Sequence, residues 1–90
     1  MTTRTVTVVN VLGMHARAAA RFVRLASSFV SQVRVNRDDR VIDGKSIMGL
    51  LLLAAARGAA ITISVDGPDE VAAIDALIAL VERGFDDDAS

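Results

Sequence analysis

The apolar residues of this chain switch repeatedly between a period of about two and a period of about 3.6 residues, and that switching limits its fold more than any other feature. In "TVTVVNV" Thr5 and Thr7 alternate with Val6 and Val8, so an extended segment has one apolar and one wettable side. From Ala16 to about Ser27 the spacing changes: Ala19, Phe22, Val23 and Ala26 fall three and four apart, on one face of a helix. "QVRVN" returns to alternation, with Val33 and Val35 on one side and Gln32 and Arg34 on the other. The polar "RDDR" at 37–40 and the short "VID" beyond it make 32–43 a hairpin.

Gly44 breaks the alternation, and Ser46 stands where a hydroxyl can cap the helix predicted for "IMGLLLLAAA". That helix is predicted to run to near Arg57–Gly58, with Ile47, Leu50, Leu53 and Ala54 toward the sheet and Gly58 in the left-handed position after it. "AITISVD" alternates again. "GPDE" then opens a last helix with Val71, Ile74, Leu77, Ile78 and Val81 as its buried stripe and Gly84 as its end. The order is βαββαβα. Strands with one polar face each, beside amphipathic helices, predict an α+β, two-layer open-faced sandwich: a four-stranded antiparallel sheet with three helices on one face.

Ninety residues make one domain, 1–90, with residues 86–90 expected to form a flexible acidic tail. A hydrophobic content of 52% suffices for a core. The net charge of −1 and the presence of only three aromatics, all phenylalanine, argue against a nucleic-acid surface. The absence of cysteine excludes disulfides and thiolate metal sites. "MTTRTVTVVN" lacks the features of a signal peptide, and the apolar run around Leu50–Ala56 is too short to span a bilayer, so a cytoplasmic protein without membrane insertion is expected. No metal and no cofactor are expected.

Three features carry candidate chemistry. His15 is the only histidine and stands directly before the first helix, where free backbone N–H groups form an anion site. A histidine there can equally be a simple cap. Arg17, Arg21 and Arg24 share one face at spacings of four and three, and a cation in a helix's first turn is unfavourable unless an anion joins it. A merely solvated face is the competing reading. Around Ser46, the helix is apolar nearly all round, which leaves Met48, Leu51 and Leu52 for a partner or for neighbouring loops. No nucleophile–base–acid set, metal-ligand cluster or nucleotide-binding glycine loop accompanies them. Such a protein is a poor enzyme, and suits being phosphorylated and docking on others.

"GMHARAAARFV" closely resembles the active-site motif of HPr, the family of histidine-containing phosphocarriers of the bacterial phosphotransferase system. "GKSIMGLLLLAAARG" is similar to that family's regulatory-serine motif and "LIALVERGFD" to its closing helix. The resemblance spans nearly the whole chain. It implies that His15 accepts a phosphoryl group on Nδ1 from phospho-enzyme I and hands it to enzyme IIA domains. It further implies that Arg17, with the backbone N–H groups of Ala16 and Arg17, stabilises the group in transit. Ala20, Arg24, Ile47, Met48, Gly49, Leu51 and Leu52 would line the docking face. Ser46 would be the target of HPr kinase/phosphorylase, and a monomer would be expected. The chain departs from the family's usual residues at Ala18, often proline, and at Leu52, often small and polar. The alternative is a regulatory docking module of the nitrogen-related or carbon-control branch, whose output is binding.

Overall fold

Seven elements follow in the predicted order: β1 (Thr2–Thr7), α1 (Ala16–Ser27), β2 (Gln32–Arg37), β3 (Arg40–Asp43), α2 (Ile47–Leu53), β4 (Ala60–Asp66) and α3 (Glu70–Glu82). They are seen in a computed structural model, which describes residues 1–87. The strands form one sheet in the order β1-β4-β2-β3, with every neighbouring pair antiparallel.

The alternation read from the sequence sets the two faces of this sheet. The register pairs Val6 with Ile61, Val33 with Val65 and Val35 with Ile63, and all six side chains are buried. On the other face, hydroxyls meet across strands: Thr3 with Ser64 and Thr5 with Thr62. The helices cover the apolar face, as expected. α1 contributes Ala18, Ala19, Phe22 and Ala26, α2 contributes Leu50 and Leu53, and α3 contributes Ala73, Ile74, Leu77, Ile78, Leu80 and Val81. Phe22 is fully buried in this layer. Truncating such a side chain costs about 3–5 kcal/mol.

Four expectations are corrected. α2 stops at Leu53 rather than near Arg57–Gly58, because Ala54 adopts the left-handed conformation at φ 53°. The carbonyls left open at that end are taken by guanidinium groups from the β2–β3 hairpin: Arg37 donates to Leu53 and Ala54, and Arg40 to Leu52. Gly58 is left-handed, but it serves the turn into β4, where its N–H donates to the Val8 carbonyl.

Ile47 and Ala54 are exposed, since two helical turns leave only Leu50 and Leu53 facing inward. Val71 is also exposed, because the small Ala73 takes a place in the α3 stripe and leaves Val71 at its edge. Finally, residues 86 and 87 of the expected acidic tail are tied to the fold. Asp86 pairs with Arg83 and the Asp87 carboxylate is buried; residues 88–90 of that expected tail lie outside the described residues.

Candidate functional site

His15 is placed by the loop before it. Gly13 has φ 65°, and a Cβ there would lie 2.6 Å from the Ala55 carbonyl oxygen. Glycine therefore lets the loop pass hard against the segment after α2, where the Met14 N–H donates to the Ala55 carbonyl at 2.9 Å. From inside, the buried Asn10 donates its amide to the Gly13 carbonyl at 2.8 Å. Held this way, His15 becomes the N-cap of α1, and its carbonyl accepts the Ala19 N–H.

The two ring nitrogens of His15 have different partners. Nδ1 accepts the backbone N–H of Arg17 at 3.3 Å, so it presents a lone pair. In the neutral ring the proton is then on Nε2, which donates to Asp87 Oδ2 at 3.0 Å. The other oxygen of that carboxylate accepts from Arg17 Nη2 at 3.1 Å. Asp87 is 1% exposed, His15 24% and Arg17 58%, so a buried acid anchors two groups that reach outward. His15 is thus half covered.

Two arginines of the stripe are met by the chain itself, one of them by a carboxylate. Arg17 meets Asp87, and Arg21 donates to the carbonyls of Phe85 and Asp86 at 2.9 and 2.7 Å. Arg24 is exposed in the last turn of α1. Sequence reasoning found His15, Arg17 and the basic stripe, but missed Asp87, Asn10 and the role of Arg21. The one available signal was the pairing of an early basic stripe with acids after Gly84.

Ser46 caps α2, its Oγ accepting the Gly49 N–H at 3.0 Å. Ile47, Met48, Leu51 and Leu52 are exposed on this helix, and Val11 and Leu12 are exposed on the loop before His15. Ala20 is half-buried. Gly49 is half-buried, and a Cβ there would lie 3.2 Å from the Ile42 Cβ, so glycine lets α2 lie close to β3. Among the described residues, no three histidine, aspartate or glutamate side chains gather as a metal site requires, and no helix is long and apolar enough to cross a membrane.

The site therefore combines a half-covered histidine at a helix start, an exposed arginine beside it and a neighbouring apolar patch. Residues 2–83 match the family described as "PTS HPr component phosphorylation site". The chain belongs to this HPr family; it is a phosphocarrier of the phosphotransferase system, not a catalyst in its own right. It is similar to the phosphocarrier protein HPr of Cupriavidus necator, 51% identical over 85 residues that cover 94% of this chain and 96% of that one. The HPr of Pseudomonas putida is 44% identical over 88 residues, covering 97% and 98%. Among solved structures, HPr-C-His from Thermoanaerobacter tengcongensis matches with a TM-score of 0.93 at 41% identity, over 98% of this chain and 99% of that chain.

Proposed function

We propose that His15 accepts a phosphoryl group on Nδ1 from phospho-enzyme I and passes it to enzyme IIA domains. The observation that carries this reading is the lone pair of Nδ1, held at the first turn of α1 by the Arg17 N–H. In the transfer, that lone pair forms the bond to phosphorus while the donor's P–N bond breaks and its electrons return to the donor nitrogen. The backbone N–H groups of Ala16 and Arg17 and the exposed Arg17 guanidinium then turn to the phosphoryl oxygens. Little further chemistry is demanded, because such transfers rest on positioning and charge stabilisation.

Ala20, Arg24, Ile47, Met48, Leu51 and Leu52 form the docking face, and Gly49 seats that helix on the sheet. Ser46 receives a regulatory phosphate from HPr kinase/phosphorylase, which places roughly −1.5 to −2 charges amid the apolar residues and hinders docking. The protein works in the cytoplasm as a monomer that releases each partner. The test is 31P NMR after mixing with enzyme I and phosphoenolpyruvate. A resonance of Nδ1-phosphohistidine supports the assignment; Nε2-phosphohistidine, or no phosphohistidine, contradicts it.

A further inference from the structure

We infer that Asp87 is a positioning residue for phosphoryl transfer: its carboxylate holds the proton of His15 on Nε2 and balances the charge that the ring acquires. This rests on the carrier reading given above. The geometry is that of an imidazole oriented by an acid. Nε2 lies 3.0 Å from one oxygen of a carboxylate that is 1% exposed, and the ring's opposite nitrogen accepts the Arg17 N–H through its lone pair. A carboxylate so placed fixes which nitrogen is protonated and stabilises the charged ring that nucleophilic attack creates.

The charge balance of the step makes this useful. When Nδ1 bonds to phosphorus and the donor's P–N bond breaks, the His15 ring keeps its Nε2 proton and gains a formal positive charge. The negative charge of Asp87 faces that nitrogen before the reaction begins, so no group has to move to meet it. Asp87 itself gives up and takes up no proton.

The backbone around Asp87 is built to hold it there. Gly84, Phe85 and Asp86 all have positive φ, at 71°, 59° and 56°. Such conformations persist only where their surroundings enforce them, and two of these residues are not glycine. The enforcement is visible: Phe85 is fully buried, Arg21 donates to the carbonyls of Phe85 and Asp86, and Arg83 clasps the Asp86 carboxylate. Asn10, which fixes the His15 loop, also reaches Asp87 Oδ2 at 3.4 Å. The chain thus bends out of the ordinary range after α3 and returns an acid to the start of α1.

The test uses the fact that His15 is the only histidine. A long-range 1H–15N correlation spectrum of the imidazole reads the tautomer directly, without any partner protein. We expect the wild type to show the Nε2–H tautomer, D87N to keep it through its amide oxygen, and D87A to gain a measurable share of the Nδ1–H tautomer, although the Arg17 N–H on Nδ1 still favours Nε2–H. In rapid-quench transfer from phospho-enzyme I, D87A should be slower by about tenfold or more and D87N should lie between. A D87A spectrum identical to the wild type would overturn the inference. A shifted tautomer with an unchanged rate would overturn the positioning role alone. A wild-type protein that takes no phosphoryl group would overturn the carrier reading and this role with it, while the tautomer result would stand on its own.

Discussion

The backbone N–H of Arg17 donates to Nδ1 of His15 at 3.3 Å, so the histidine proposed to take the phosphoryl group also caps the helix behind it. The two roles separate by substitution. His15→Ala should lose phosphoryl acceptance and also about 1 kcal/mol of stability, the usual cost of a lost cap. For a domain of this size that lowers the unfolding midpoint by about 4–8 °C. His15→Asn should lose acceptance while keeping most of the stability, because asparagine caps well. Thermal denaturation followed by circular dichroism distinguishes them; equal midpoints for the two variants would contradict the cap.

Ser46 has the same double character at α2. Its Oγ accepts the Gly49 N–H at 3.0 Å, which Ser46→Ala removes and Ser46→Asp can replace. Ser46→Ala should cost about 1 kcal/mol and leave affinity for enzyme I unchanged. Ser46→Asp should stay close to wild-type stability and bind enzyme I about tenfold more weakly, since a charge enters an apolar contact. Titration calorimetry checks the second point, and undiminished affinity would remove Ser46 from the docking face.

Gly13 has no room for a side chain. Gly13→Ala would put a Cβ 2.6 Å from the Ala55 carbonyl and 2.9 Å from the Ala56 Cα, at a φ of 65°. It should destabilise by more than about 1 kcal/mol and disturb the loop that places His15. Gly58→Ala is the control: φ is positive there too, at 90°, yet nothing lies within 4 Å of the added carbon. A smaller loss in urea denaturation is expected for Gly58→Ala; an equal loss would show that crowding at Gly13 is immaterial.

Stability should fall in acid, for identifiable reasons. The Ser31 hydroxyl, then the Val30 N–H, hold the Asp69 carboxyl below its ordinary 3.8. The Thr2 hydroxyl, then the N-terminal ammonium, do the same for Glu70 below its ordinary 4.5. Arg83 lowers Asp86 likewise. A carboxyl lowered by folding stabilises the fold above its unfolded value, and that stability is lost as pH falls through the lowered one. The N-terminal ammonium is raised above 8.0, chiefly by Glu70, so its contribution is present below 8.0 and fades as pH rises through the raised value. The unfolding midpoint should therefore drop on acidification below 4.5, and Asp69→Asn should be less sensitive in that range. An unaltered acid dependence in Asp69→Asn would contradict the assignment.

Much of this arrangement is legible in the sequence, for a physical reason. Periods of two and 3.6 report burial directly, so the element order, the sheet faces and the caps at His15 and Ser46 follow from local spacing. The end of α2 does not. Its apolar run continues past Leu53, and what stops it is a left-handed Ala54 whose neighbouring carbonyls are met by Arg37 and Arg40 from another hairpin. Asp87 is hidden for a stronger version of the same reason. It meets His15 across 72 positions of sequence, and a run of acids after a helix reads as a solvated tail until the fold brings it to α1.

The most direct test of the account is the intact mass of the protein after mixing with enzyme I and phosphoenolpyruvate, with His15→Asn as the control that keeps its cap. The account predicts one added phosphoryl group, labile in acid, on the wild type and none on the variant. A phosphoryl group on the variant, or none on the wild type beside an active enzyme I, would contradict the role given to His15.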